Sequence, residues 1–423
     1  MDNILITDIC GISHIGNVAL FQNSYRILKQ LYPRATIRGL AYNPDQLERI
    51  VDISISKLLA RDFPLGKSYA LKLIWFIRSL SWFIIHTFNL GVLDKLSLRA
   101  PYRIYTWNSD LLRSVNYYND AELIVSISGE GIASESGYSV ILTLFPYIIA
   151  KLQKKKVVIF PQSFGPFKRN FLYVIFKLVL SKLDLLMVRD KISLDSLRSL
   201  LSNCDKILFC PDVVISQDIS EKNIEIDQNH LKVIETDESR KIGFCISSFR
   251  GSHTYYYDIV RDTIIRLLED ERNKALLFVA NMPFGDADKR DYELSAKLIN
   301  EIDHSRLTLI TKYYPSAYEF QAWLSYLNVL VSTRMHAAIL ATNIFTPTIT
   351  INSQEKLFGY MSLCGQQDLS INMEALSTEL LLEKIMLCVN DEQSVRKQLE
   401  EKHSHLTNII FNKMREAKSL LDA

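Results

Sequence analysis

Cysteine is scarce. Six residues in 423, at positions 10, 204, 210, 245, 364 and 388, contain no CxxC pair. That excludes a disulfide-built scaffold and gives no thiolate zinc spacing; small buried thiols in a reducing, cytoplasmic setting are expected instead. An excess of charge of one sign is also lacking. Lys plus Arg is 49 against 47 for Asp plus Glu, a formal net of +2. A nucleic-acid partner usually demands a far more basic chain, so none is expected. Glycine and proline, 14 and 11 residues, are too few for collagen-like or linker-like sequence. No Walker loop, HExxH or GxSxG pattern occurs, and the first glycine loop has no GxGxxG. No basic stretch leads Met1-Asp2-Asn3-Ile4 into an apolar run, so no secretory leader is expected. The most apolar stretch, 69–93, is broken by Lys72 and Arg78. Its uncharged remainder, 79–93, is shorter than the ~20 residues of a spanning helix. A buried helix or insert is the first reading of this stretch. Contact with a membrane surface is the second, because Trp75, Trp82, Phe83 and Phe88 favour that boundary.

What the chain does have is 48% hydrophobic residues in a repeated order. Short β-branched runs alternate with helical ones. Strands are predicted over 3–9, 36–42, 121–128, 157–163, 185–189 and 206–210, with helices between them. After a polar, highly charged stretch over 215–240 the rhythm restarts, with strands over 241–247, 276–281, 307–311, 329–333 and 348–351. Continuously apolar strands alternating with helices predict parallel sheets covered on both faces. The fold class is therefore α/β: two doubly wound, Rossmann-like domains facing a cleft, as in GT-B-type transferases, with a C-terminal helical tail. The predicted limits are 1–235 with an apolar insert over 66–98, then 236–370, then 371–423. Ligands are expected at the carboxyl ends of the strands.

The candidate site residues follow from those strand ends. Ser332-Thr333-Arg334-Met335-His336-Ala337-Ala338 ends one strand and opens a helix. An Arg fork suits carboxylate or phosphate, the helix start adds free N–H groups, and His moves protons near neutral pH. The first βα turn, Gly11 to Asn17, offers His14, Gly16 and Asn17. Ser128-Gly129-Glu130-Gly131 sets an acid between two glycines that let a ligand approach the backbone. Gln162 and Ser163 supply hydrogen-bonding groups. Arg189 is a second cation at a strand end, with Asp190 placed to cap the next helix. Lys356 is a third cation. Ser247 to Gly251 and Asn281 to Asp286 are further loops at strand ends. Glu293/Glu301 and Glu392/Glu400 have the Glu-x7-Glu spacing of some nucleotide-sugar transferases, away from the Arg334 element in sequence. No metal cluster is visible.

Taken in order, these pieces resemble the polysaccharide pyruvyl transferase family. The resemblance rests on Gly16-Asn17, Ser128-Gly129-Glu130-Gly131, Pro161 to Phe167 (PQSFGPF), Val188-Arg189-Asp190 with Ser193, and Ser332 to Ala337 (STRMHA). Pro347, Lys356-Leu357 and Gly359 also fit. Two positions depart from the family pattern: Asn17 stands for an acidic residue, and Glu130 for the middle glycine of a triplet. The resemblance implies a transferase with no cofactor that moves a pyruvyl group from phosphoenolpyruvate to a saccharide, usually as a ketal. The saccharide would be a cell-surface precursor, with a lipid-linked form at the inner membrane face included. It implies Arg334, Arg189, Lys356, Met335 and Ser332 on the donor side and His336 as acid/base, with Glu130 or His14 at the acceptor hydroxyl. His14, Gly16, Asn17, Gly129, Gly131, Gln162 and Ser163 would lie on the acceptor side. A GT-B glycosyltransferase using a nucleotide sugar and a non-catalytic glycan-binding relative are the alternatives.

Overall fold

A computed structural model of the protein describes residues 1–11, 13–48, 50–58, 109–133, 139–219, 238–248, 254–280, 290–310, 316–353 and 355–422, with isolated positions 74, 77, 78, 81, 84 and 85. Two compact units result: 1–12 with 20–212 and 409–423, and 13–19 with 213–408.

The first unit is built on β1 (Asn3–Ile9), β2 (Thr36–Ala41), β3 (Ile55–Lys57), β4 (Leu123–Ser126), β5 (Glu130–Ile132), β6 (Lys156–Phe164), β7 (Leu185–Val188) and β8 (Ile207–Phe209). Its helices are α1 (Ile15–Leu31), whose first turn belongs to the second unit, α2 (Pro44–Leu47), α3 (Ser109–Asp120), α4 (Ser139–Leu152), α5 (Phe171–Leu180) and α6 (Lys191–Leu200). The strand order is β3-β2-β1-β4-β6-β7-β8, every described pairing parallel, with β5 on the outer part of β6. The order reverses between β1 and β4. At such a reversal the flanking connections leave in opposite directions and open a crevice at the carboxyl edge. Leu5, Ile124, Val157, Ile159 and Leu186 pack with Tyr147, Phe164 and Phe176 in one buried core. Burial of that apolar surface is the main force holding the unit together.

The second unit has β9 (Arg240–Cys245), β10 (Asn273–Phe278), β11 (Leu307–Ile310), β12 (Val329–Ser332), β13 (Thr348–Asn352) and β14 (Ser370–Asn372). Its helices are α7 (Thr254–Glu269), α8 (Arg290–Ile302), α9 (Ala317–Leu324), α10 (Met335–Thr342), α11 (Glu355–Leu363), α12 (Thr378–Asn390) and the first part of α13 (Glu392–Asp422). The order is β11-β10-β9-β12-β13-β14, again parallel throughout, and it reverses between β9 and β12. Helix α10 is apolar almost all round, and Ala337 to Thr342 are buried. Its small alanines let it pass through the core rather than over it.

The units divide differently from the three consecutive spans expected. The 3₁₀ turn Val213–Ser216 joins the second unit rather than the first. Asn343 Nδ2 donates to Val214 O at 2.8 Å, Gln217 Nε2 to Gln321 Oε1 at 2.6 Å, and His403 Nε2 lies 2.8 Å from Ile215 O. The C-terminal helices α12 and α13 are present as expected, but they pack onto the units rather than standing apart. β14 extends the second sheet, and Arg396 in α13 donates to Leu327 O at 2.8 Å. The end of α13 goes with the first unit, where Tyr32 Oη donates to Asp422 at 3.4 Å. Most of the charged 215–240 stretch and the 66–98 insert lie outside the described residues. So do Trp75, Trp82, Phe83 and Phe88.

The strand-end motifs of the first unit prove to be internal scaffolding. Gln162 is fully buried and accepts from Ser128 Oγ at 2.5 Å. Ser163 Oγ donates to Asp190 at 2.8 Å, and Asp190 caps α6 by accepting from Ser193 N at 2.8 Å. Ser193 Oγ in turn accepts from Phe164 N at 2.7 Å. Arg189, expected as a cation for the donor, is paired with Asp212 at 2.6 Å, both side chains 2% exposed. A guanidinium already neutralised in the core is not offered to a phosphate, so Arg189 is corrected from ligand to fold element. Gln162 and Ser163, expected on the acceptor side, are tied into the same network. Asp212→Ala should strand the Arg189 charge and cost about 3–5 kcal/mol, read as a fall in the urea midpoint. Replacing both partners with apolar residues should recover most of that loss.

Candidate active site

The second unit's crevice is built from the ends of β9 and β12. Thr333 Oγ1 accepts from Ser247 N at 2.8 Å, tying the two strand ends together. Ser332 is buried, and its Oγ accepts from Arg334 N at 3.0 Å and donates to Arg334 O at 2.9 Å. It shapes the turn into α10 and has no surface for a donor, which corrects its expected role. Arg334 occupies the N-cap of α10 in an extended conformation. Asp291, in the first turn of α8, holds one of its amino groups in an ion pair. The other oxygen of Asp291 accepts from Ser248 N at 3.0 Å. The Arg334 Nε is buried with no hydrogen-bond partner, so this fork retains donor capacity for an anion. Met335 and His336 follow in the first turn of α10, both half-buried.

The first turn of α1 completes this arrangement. Ile15 N donates to Ala280 O at 2.9 Å, just past the end of β10. Gly16 then packs directly against His336. A Cβ on Gly16 would lie 2.3 Å from His336 Nδ1, so only glycine leaves room for that imidazole. His14 stands edge-on to His336, ring centroids 6.4 Å apart. Gly16 N donates to His14 Nδ1 at 3.1 Å, which fixes the neutral tautomer protonated on Nε2. Burial pushes His14 down to about 3, and the positive charges of Arg334, His336 and Lys356 push the same way. Asn17 N closes the turn onto His14 O at 3.0 Å.

Arg334, His336, Lys356 and His14 are thus brought together in one unit. His14, Gly16 and Asn17, expected on the acceptor side, stand beside Arg334 and His336 instead. The physical reason is the anchoring of the α1 turn on Ala280. Asp291 was missed because nothing marks it in sequence beyond an acidic residue in a helix's first turn. In the first unit, Gly129 adopts φ +72°. Glu130 and Gly131 form β5 rather than a loop, because Ser163 N donates to Gly129 O at 3.1 Å and Gly165 N to Ile132 O at 3.0 Å. Phe249 to Gly251 and 281–286 lie outside the described residues. Cys245, at the end of β9, is pushed up to about 12 by burial, so its thiol stays protonated. Cys210, Cys364 and Cys388 are buried as expected, while Cys10 is half-buried and Cys204 exposed. Among the described residues no group of three or more His, Cys, Asp or Glu side chains is placed to hold a metal.

The depressed His14 pKa carries a stability consequence. Between pH 6.5 and about 3 the unfolded chain binds a proton there and the native protein does not. Stability therefore falls as the pH drops through that window, with a slope of up to about 1.4 kcal/mol per pH unit from this residue. Urea melts should show a shallower loss for His14→Asn than for the wild type over pH 6 to 4.

With this geometry in hand, likeness to known proteins can be weighed. HepE of Anabaena, solved with UDP and glucose, superimposes with a TM-score of 0.60 at 13% identity, over 100% of both chains. MnaA of S. aureus, solved with UDP, gives 0.60 at 12%, over 100% of this chain and 98% of that one. The UDP-GlcNAc 2-epimerase of Neisseria meningitidis, bound to UDP-GlcNAc, gives 0.58 at 12%, over 100% and 99%. The chain therefore has the two-unit α/β fold of GT-B-type glycosyltransferases and nucleotide-sugar epimerases. In sequence, the amylovoran biosynthesis protein AmsJ of Erwinia amylovora is 20% identical over 268 residues, spanning 60% of this chain and 62% of that protein. Residues 14–355, from His14 through STRMHA to the start of α11, match the polysaccharide pyruvyl transferase family; the chain belongs to that family.

Proposed function

We propose that the protein transfers the pyruvyl group of phosphoenolpyruvate to hydroxyls of a saccharide in polysaccharide biosynthesis. The observation that carries the reading is the cationic group at the start of α10: Arg334 with an unpartnered Nε, His336, and Lys356, beside a histidine held neutral. Phosphoenolpyruvate carries a carboxylate and a phosphate. A planar guanidinium, a helix start and a lysine suit both. A neutral His14 leaves the ring N–H as a donor without adding a charge that would repel His336 in its protonated form.

The chemistry needs few parts. His336 gives a proton to the vinyl carbon C3, and a sugar hydroxyl oxygen bonds to C2. The C2–O bond to phosphate then breaks, its electron pair leaving with phosphate, and a second hydroxyl closes the ketal. Two hydroxyl protons are released, one restoring His336 and one leaving on phosphate. General acid–base catalysis of this kind contributes about 10²–10⁴-fold. Asp291 acts through Arg334 by fixing its guanidinium. No cofactor enters the scheme.

Calorimetry with phosphoenolpyruvate tests the donor assignment. Arg334→Ala should weaken binding by about 10–100-fold, the value of one or two charge-assisted hydrogen bonds. Gly16→Ala should also weaken it, because the new methyl displaces the His336 ring while the fold persists. A wild type that binds UDP and not phosphoenolpyruvate would overturn the reading in favour of a nucleotide-sugar transferase. That alternative has the fold neighbours solved with UDP behind it.

The same reading sets the enzyme on the cytoplasmic face of a membrane, acting on a lipid-linked precursor. Support comes from Ile74, Ile77, Ile84 and Ile85, helical and 51–61% exposed, with Arg78 among them. Ile74, Ile77 and Arg78 stand at i, i+3 and i+4, the spacing of one helix face, and an apolar face with a cation suits an anionic lipid surface. Among the described residues no helix is long and apolar enough to cross a membrane. The protein should sediment with vesicles containing phosphatidylglycerol, and Ile74→Asp with Ile77→Asp should abolish this. Equal recovery of both proteins in the supernatant would refute the membrane contact.

A further inference from the structure

The first sheet has its own strand-order reversal, and its chemistry is unassigned so far. β1 carries a register irregularity against β2 between Ile6 and Ile9, and Asp8 inside it has φ +60°. Bulges of this kind re-aim a side chain, and Asp is among the few residues that accept a left-handed backbone. The re-aimed carboxylate meets the end of β4. Ser126 Oγ donates to Asp8 Oδ2 at 2.7 Å and Tyr147 Oη to the same oxygen at 2.5 Å, while Tyr147 Oη and Ser126 Oγ lie 2.8 Å apart. Both hydrogen bonds fall on Oδ2. Oδ1 accepts none among the described residues, and Asp8 is only half-buried. Tyr42, just past β2, is 51% exposed, and it and Cys10 both feel the Asp8 charge. Tyr118 Oη donates to Thr7 Oγ1, next to Asp8 in β1, at 3.5 Å.

We infer that Asp8 and Tyr42 form a saccharide-hydroxyl site at the β1/β4 reversal of the first unit, with Asp8 Oδ1 accepting a hydrogen bond from a sugar hydroxyl. The inference rests on the pyruvyl-transfer reading and deepens it. Burial raises the Asp8 pKa, with the Tyr147 and Ser126 hydrogen bonds opposing. A carboxylate with a raised pKa is a stronger base than an exposed one. Tyr147 and Ser126 hold the other oxygen still, so the carboxylate cannot rotate away. The exposed Tyr42 ring gives an amphipathic wall for the apolar face of a pyranose.

Ligand-observed NMR with methyl glycosides of glucose, galactose, mannose and N-acetylglucosamine tests this, with phosphoenolpyruvate calorimetry on the same samples. Wild type should bind at least one glycoside. Asp8→Asn and Tyr42→Ala should each lose about tenfold or more in that binding, one charge-assisted hydrogen bond or one stacking face, and keep phosphoenolpyruvate affinity. Tyr147→Phe, which removes a partner of Oδ2 only, should bind the glycoside within a few-fold of wild type. If Asp8 merely anchored Tyr147, Tyr147→Phe would lose as much as Asp8→Asn, and the inference would fall. It also falls if wild type binds none of the glycosides or if Asp8→Asn binds like wild type. Glycoside binding that depends on Asp8 without any phosphoenolpyruvate binding would leave this site standing and remove the donor assignment.

Discussion

A strand buried on both faces can offer chemistry only where it ends. That constraint governs this protein, because the described strands of both sheets pair in parallel and the central ones are apolar along their length. Helices covering each face leave the carboxyl edge as the place where polar groups meet a ligand. The reversal of strand order then selects one point along that edge. In the second unit the point lies between β9 and β12 and gathers Ser247, Thr333 and Arg334. In the first it lies between β1 and β4 and gathers Asp8 and Ser126. The two positions are topologically alike and chemically opposite, one cationic and one carboxylate.

Much of this was readable in the sequence. Continuous apolar runs marked strands such as β1, β4, β9 and β12, and their alternation with helices gave parallel sheets. Arg334 and His336 stood out because they flank Met335 just past Val329–Ser332, where a helix begins. What stayed hidden depends on distant contacts. Arg189 and Asp212 are separated in the chain, so a strand-end arginine looked open when it was paired. Gln162 looked like a ligand because it lies near a strand end, yet it is buried and accepts from Ser128 Oγ. Asp8 sits inside a run that reads as plain strand. Only the bulge reveals that its side chain turns away, and a bulge has no reliable mark in sequence.

The electrostatics of the second site also follow from burial. Several basic groups cannot all be charged in a confined space without a counter-ion. The one that yields is His14, whose Nδ1 is already committed as an acceptor to Gly16 N. Asp291 supplies fixed negative charge to Arg334 from behind. The group is thereby set with one neutral ring and one anchored guanidinium, an arrangement already organised without a ligand.

The placement of the α1 turn has a consequence for assembly. Residues 13–19 pack with 213–408, so this segment is synthesised well before β10, α10 and their neighbours and waits for them. Closing that contact spans most of the chain and carries the entropic penalty of a very long loop. The His14–Gly16 turn must therefore be among the last pieces to lock. A nascent chain can form its first sheet early and still lack the cationic pocket until its second sheet is complete.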